Sequence, residues 1–352
     1  MADKKIDAQI LKNFQKQLSK NKIGAYIVTD HIDQLYLAGF SFLSMEAAFL
    51  ITPREMFCFT RDLYIKQINT FCPFMNAECS LNYAASAAQK AGKMKLKNVC
   101  FDAAKTSYLD GKIFDAAGFK PSVFTPAKMR EVKTAAEIKT MRRVGQIVFD
   151  ICGHIKKFIK TGMTEIEVAA EIDRYMKGWG VTSSNYPTIV CFGVNSNNAH
   201  HIPTDTKLKD EMPVLTDFVC LYKGYFSDIT RSWWHGKKPT EEYKKVWNIV
   251  NAARAAGVKA AKPGITGKEL DLTARDIITA AGYGKYFIHR TGHGIGMEPH
   301  ENPCAQSNNT EKFVENNVVT IEPGIYLPGK FGIRLEDTVV ISKTGGLILT
   351  KP

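Results

Sequence analysis

Polar and apolar positions along the first third of the chain change period several times. Residues 6–20 place Ile6, Ile10, Leu11 and Phe14 on one face at helical spacing, with lysines elsewhere. Short apolar runs follow at 25–28, 34–37, 47–51 and 56–59. Each is four or five residues long and bounded by polar or turn residues, which predicts strands. Helical period returns at 82–95 and 105–117. The pattern predicts a small α/β domain over residues 1–125. Residues 121–130 carry two prolines and no clear period, which marks a boundary.

Residues 126–352 read differently. Thr134-Ala-Ala-Glu137, Thr164-Glu-Ile-Glu167 and Thr266-Gly-Lys-Glu269 each fit a capping box, in which the Thr hydroxyl and the Glu carboxylate satisfy two free N–H groups of a helix start. Amphipathic helices are predicted after them, near 135–159, 165–178 and 267–281, with a fourth from about 240 to 261. Strand-rich stretches lie at 186–233 and 317–350. The order helix, helix, strands occurs twice, which suggests a duplicated architecture without a visible sequence repeat. Two helix pairs covering one antiparallel sheet make an α+β layer.

Composition narrows the class. With 352 residues and roughly 150 residues per domain, about two domains are expected. Apolar residues at 45% and charged residues at 23% exclude a disordered chain, a coiled coil and a collagen. No run approaches the roughly 18 apolar residues of a membrane span. The first residues lack the apolar core of a secretory signal, so a cytoplasmic protein without a membrane partner is expected. Eight scattered cysteines, none paired as Cys-x-x-Cys, suggest reduced thiols rather than a disulfide framework or thiolate zinc site. The net charge of +12 is spread, with 18 Lys/Arg against 11 Asp/Glu in residues 1–130 and 29 against 24 in the remainder. Nucleic-acid binding wants a clustered patch and is disfavoured.

Three stretches carry candidate chemistry. In the first, Asp217 and Asp228 flank Lys223-Gly224, a plausible hairpin turn that would bring the two carboxylates to one sheet face. They are either a cation site or solvated acids near a turn. The second, His289-Arg-Thr-Gly-His293-Gly-Ile-Gly-Met-Glu-Pro-His300, holds three histidines and three glycines in 12 positions. In the third, Glu322 ends the β-branched run Val318-Val-Thr-Ile321, and Glu336 precedes a second apolar run. Carboxylates in such company need a partner, either a metal or Arg334 two residues before Glu336. Together these residues offer Asp, Asp, His, Glu and Glu on adjacent strands of one sheet. That donor set suits two divalent ions such as Mn²⁺, Co²⁺ or Zn²⁺.

The hairpin ending Asp228-Ile-Thr-Arg231, the His293-Gly-Ile-Gly run, and Glu322-Pro-Gly-Ile-Tyr326 with Arg334-Leu-Glu336-Asp-Thr338 resemble the pita-bread metallopeptidase superfamily. The resemblance is to the branch of aminopeptidase P, prolidase and creatinase. It implies a catalytic pita-bread domain at 126–352, two helix pairs over an antiparallel sheet with a pseudo-twofold, behind a smaller N-terminal α/β domain. It implies a homodimer and two metal ions, manganese first. Asp217 would bind one ion, Asp228 and Glu336 would bridge, and His293 with Glu322 would complete the other site. A hydroxide would attack the scissile carbonyl with Glu322 as general base. His200 and His300 would contact the scissile peptide, His289 would support the pocket, and Arg334 would orient the ligand carboxylates. His201 competes with His200 for its role.

The implied activity is hydrolysis of Xaa-Pro bonds in small proline-containing peptides. Creatinase lacks the metal ligands, which are all present here. Methionine aminopeptidase places its two glutamates further apart than the 14 positions here. The remaining alternative is a pita-bread pseudo-enzyme acting as a binding module, though such modules lose ligand residues. The chain departs from the branch at Val219, where Asp-x-Gly is usual, at Glu211-Met212, and at Cys304, where some prolidases carry an Arg for the dipeptide carboxylate. Cys304 favours aminopeptidase P and a preference for Xaa-Pro-Yaa; the His300-Glu301 ending is closer to prolidases.

Overall fold

A computed structural model of the chain describes residues 8–40, 42, 46–182 and 187–351. Ile6 of the first amphipathic face and residue 186 at the edge of a strand-rich stretch lie outside the described residues. The chain divides into two compact units, Met1–Met129 and Arg130–Pro352.

The first unit contains α1 (Ala8–Lys20), β1 (Ala25–Val28), α2 (His31–Ala38), β2 (Ala47–Ile51), β3 (Met56–Thr60) and α3 (Asp62–Phe71). It continues with β4 (Asn76–Cys79), α4 (Tyr83–Lys93), β5 (Val99–Phe101), α5 (Tyr108–Ala116) and β6 (Lys120–Pro121). The strands form a mixed sheet in the order β4-β3-β2-β1-β5-β6. Ala25, Ile27, Leu50, Phe57 and Phe59 pack beneath Ala84, Ala87 and Phe114. The α/β expectation holds here with one correction: 34–37 is helical. Asp30 caps the helix by accepting from the N–H groups of Ile32 and Asp33, and Gly39 ends it at φ +67°. A four-residue apolar run carries no period long enough to tell strand from buried helix, so the flanking caps decide.

The short helix α6 (Pro126–Arg130) ends at the boundary, and the second unit begins with α7 (Ala135–Phe158), α8 (Glu165–Gly178), β7 (Ile189–Phe192), β8 (Met212–Tyr222) and β9 (Tyr225–His235). Then come α9 (Glu241–Ala260), α10 (Gly267–Ala280), β10 (Gly292–Gly294), β11 (Glu301–Ala305) and β12 (Val318–Ile321). The chain closes with β13 (Gly324–Leu327), β14 (Phe331–Arg334), β15 (Asp337–Ser342) and β16 (Gly345–Ile348). All three capping boxes form, each Thr hydroxyl accepting from the Glu N–H and each Glu carboxylate from the Thr N–H.

The helix pairs cover the strands as the α+β reading requires. Val144, Ile147, Val148 and Ile151 bury against Val190, Val214, Phe218 and Ile229. Val246, Val250, Ala274 and Ile278 bury against Ile325, Leu327, Ile333 and Leu335. Each valine, leucine, isoleucine or phenylalanine among them contributes about 1.5–3 kcal/mol when fully buried. The strands fall into three antiparallel ladders rather than one: β7-β8-β9, β11-β10-β12-β15-β16 and β13-β14. A seam joins β9 to β15. Glu336 N–H donates to Thr230 O at 3.1 Å, and Asp228 N–H donates to Thr338 Oγ1 at 3.2 Å. There a threonine hydroxyl takes the place of a ladder carbonyl as acceptor and donates back to Asp228 O at 3.0 Å.

The duplication also has a local sequence signal that element order alone did not reveal. Gly162-Met-Thr-Glu-Ile-Glu167 and Gly264-Ile-Thr-Gly-Lys-Glu269 share glycines at φ +95° and the same hydrogen bonds. Gly162 N–H donates to Leu208 O and Gly264 N–H to Phe313 O, both at 2.8 Å; Leu208 and Phe313 donate back to Met163 O and Ile265 O, also at 2.8 Å.

Candidate metal centre

The β8–β9 hairpin sets the first two carboxylates. Lys223 and Gly224 both have positive φ, 49° and 79°, as a two-residue turn between twisted strands requires. The turn pairs Tyr222 with Tyr225, and the register then sets Val219 opposite Asp228 and Asp217 opposite Thr230. Residues 217 and 219 share a face, and Asp228 opposes 219, so both carboxylates project from one side.

His293 arrives on β10, which lies very close to β12. A Cβ on Gly292 would stand 1.8 Å from Thr320 O, so only glycine admits that approach. His293 N–H donates to Thr320 Oγ1 at 3.0 Å. Its Nδ1 lies 3.0 Å from Gly294 O, a carbonyl that only accepts; Nδ1 therefore carries the proton and Nε2 keeps a lone pair. That Nε2 lies 3.4 Å from Glu322 Oε1 and 3.9 Å from Asp228 Oδ2. Glu322 follows β12 directly, and Thr320 Oγ1 donates to its Oε1 at 3.1 Å. Glu336 precedes β15 and accepts from Thr230 Oγ1 on Oε2 at 2.7 Å.

Asp228, His293 and Glu336 offer donor atoms all within 4.8 Å of one another. They are 8%, 3% and 1% exposed. Asp228 Oδ1 and Glu336 Oε1 are buried without a hydrogen-bond partner, a costly arrangement for an oxygen that water cannot reach. Burial pushes both carboxyls well above the carboxylate range; the charges of Asp217 and Glu322 add to this for Asp228, and those of Asp228, Glu322 and Asp217 for Glu336. Burial likewise lifts Glu322 to about 7. Burial, then His300, lowers His293 to about 3, so the imidazole is neutral. Crowded acids with orphaned oxygens around a neutral imidazole have the donor chemistry that divalent cations fit.

Arg334 does not pair with Glu336, the alternative left open by their spacing. Its guanidinium binds Asp217, donates to Tyr326 OH at 2.6 Å and Ala199 O at 3.2 Å, and Nε donates to Thr230 Oγ1 at 3.1 Å. His289 Nε2 meets Tyr326 OH at 2.8 Å. A continuous chain thus runs His289–Tyr326–Arg334–Asp217 behind the carboxylates. Burial, then Arg334, holds His289 at about 3. His300 sits with its ring centroid 4.2 Å from that of His293.

Between the two adjacent histidines the structure shows a difference. His201 Nε2 lies 2.8 Å from Glu165, a fully buried carboxylate that also accepts from the N–H groups of Phe192 and Thr204. The exposed His200 has no such tether. All ten positions named in the sequence for this site converge: His200, His201, Asp217, Asp228, His289, His293, His300, Glu322, Arg334 and Glu336 line one cavity of about 840 Å³. Thr230, Thr320, Thr338, Tyr326 and Glu165 escaped the sequence reading. All five lie inside quoted stretches, but the threonines there are indistinguishable from ordinary strand residues and Glu165 from an ordinary acid in a first helical turn.

Comparison with known proteins agrees with this geometry. The sequence profile of metallopeptidase family M24 matches residues 139–343. The uncharacterized peptidase YqhT of Bacillus subtilis (strain 168) is 40% identical over 238 residues, covering 68% of this chain and 67% of that protein. Among solved structures, an Xaa-Pro dipeptidase from Bacillus anthracis aligns with TM-score 0.90 at 30% identity, over 98% of this chain and 97% of the other. The X-Pro aminopeptidase from Thermotoga maritima MSB8 aligns with TM-score 0.88 at 32% identity, over 97% of each chain. With the profile spanning more than half its length and the divalent-metal donor set in place, the chain belongs to metallopeptidase family M24.

Proposed function

We propose that this peptidase hydrolyses Xaa-Pro bonds with two divalent ions, manganese first among them, held by Asp217, Asp228, His293, Glu322 and Glu336. The observation that carries the reading is the pair of orphaned oxygens, Asp228 Oδ1 and Glu336 Oε1, at the centre of that convergence. Solved structures named as an Xaa-Pro dipeptidase and an X-Pro aminopeptidase, aligned over nearly the whole chain, support the substrate class. Ions bound there supply polarisation of the scissile carbonyl and a lowered pKa for the attacking water.

The chain's own residues do the rest. Glu322 takes the proton of the attacking water on its carboxylate. His300 and His200 face the cavity and donate to the carbonyl oxygen as charge develops on it. Arg334 fixes Asp217, and Tyr326 with His289 fixes Arg334, so the carboxylates are oriented before substrate arrives. Ile189, Ile202, Phe218 and Val219 give the cavity an apolar wall for a proline ring.

The test is hydrolysis of Gly-Pro, Gly-Pro-Pro and Gly-Leu by stripped protein resupplied with Mn²⁺, Co²⁺ or Zn²⁺ in turn. Turnover of the proline peptides, dependent on about two ions per chain, is expected. Equal turnover of Gly-Leu would overturn the Xaa-Pro reading. Activity untouched by complete metal removal would overturn the metal reading.

A further inference from the structure

Two arginines line the cavity, and they differ in what they are free to do. Arg334 is 3% exposed and committed to Asp217, Tyr326, Ala199 and Thr230. Arg290 is half-buried at the cavity wall. Among the described residues the one hydrogen bond of its side chain runs from a guanidinium N–H to Cys304 Sγ at 3.7 Å, and a thiol sulfur is a weak acceptor. No carboxylate of the described residues pairs with it. Arg290 is thus a planar donor fork, poorly satisfied, beside the histidines that face the substrate.

We infer that Arg290 is the specificity residue that receives the free α-carboxylate of an Xaa-Pro dipeptide. This rests on the Xaa-Pro reading above and goes beyond it by choosing the substrate's length. The carboxylates that line the cavity, Asp217, Asp228, Glu322 and Glu336, repel a substrate carboxylate, which therefore requires a cation of its own. A guanidinium binds both carboxylate oxygens in parallel, which a point charge cannot do. Cys304 cannot fill that role, but the residue touching it can. An Xaa-Pro-Yaa peptide carries its carboxylate roughly 3.5 Å further along the chain, off the fork. The tripeptide preference that Cys304 alone suggests therefore gives way to a dipeptide preference.

The test compares Ala-Pro with its C-terminal amide, using metal-loaded full-length protein, Arg290→Met and Arg290→Gln. The wild type is expected to favour the acid about tenfold or more in kcat/KM, the scale of one charge-assisted contact. In both variants that preference should collapse toward unity, through KM more than kcat, with metal content near wild type. A purely structural role would instead lower both substrates together. A wild type indifferent to the amide, or a preference that survives in either folded variant, overturns the inference. Ala-Leu and its amide separate the two layers. If these are cleaved as well as the proline pair, the Xaa-Pro reading falls. An acid preference lost in the variants would then still locate the carboxylate at Arg290.

Discussion

At the scale of single residues, the centre is a set of acids that repel one another, and their protonation makes the repulsion measurable. Asp228 and Glu336 keep protons well above the usual carboxylate range, and Glu322 titrates at about 7. A cation takes the lone pairs that those protons hold, so metal binding at pH 7 should release protons. Apparent affinity should weaken as pH falls through about 7, the value for Glu322. Titration calorimetry in two buffers of different ionisation enthalpy measures the release; identical heats in both would contradict it. Glu336→Ala removes a carboxylate that bonds only Thr230, so most metal and activity should go while the metal-free fold melts within about 4 °C of wild type, the shift of roughly 1 kcal/mol. Elemental analysis and circular dichroism check the two halves. His300→Ala tests chemistry apart from assembly. A lost donor to the developing oxyanion costs about 10²–10³ in kcat, with metal content unchanged; a fall in metal stoichiometry would make His300 a ligand instead.

At the scale of elements, the ligands depend on how closely strands approach and where they turn. Gly292 lets β10 sit against Thr320 O, and a Cβ there would be 1.8 Å from that oxygen. Gly292→Ala must push the strands apart, at a cost of about 1–3 kcal/mol for overpacking. His293 moves with β10, so metal affinity should fall along with stability; denaturant melts of metal-free protein and metal titrations read the two losses separately. Val219, in register with Asp228, shows what the departure from Asp-x-Gly does. The ladder continues through it undisturbed, and its side chain lines the cavity, so the departure narrows the site rather than bending the strand. The capping boxes and the turn at Lys223-Gly224 were legible in sequence because each rests on residues within four positions. The run at 34–37 was misread because its helix is fixed by Asp30 and Gly39, outside the apolar pattern.

At the scale of the molecule, the described metal donors all belong to the Arg130–Pro352 unit. Ligand that binds only the native state stabilises it by about 2.7 kcal/mol at a hundredfold excess over Kd. Scanning calorimetry should therefore show metal raising the melting of this unit, with chelation reversing it. A transition indifferent to both would mean that the cluster binds no ion. No helix among the described residues is long and apolar enough to cross a membrane.

What the sequence determined by itself was everything carried by short range or by residue type. Helix starts, hairpin turn and two-layer class follow from local patterns, and the donor set follows from which side chains can ligate. The tertiary structure alone decided which neighbours those side chains meet. It gave His201 to Glu165 and left His200 to the cavity, and it paired Arg334 with Asp217 across 117 positions of chain. It also set Arg290 against Cys304 at the cavity wall. The physical reason is that spacing along one strand fixes only which face a side chain occupies. Its partner depends on the register and seam of separately formed ladders, which no local pattern encodes.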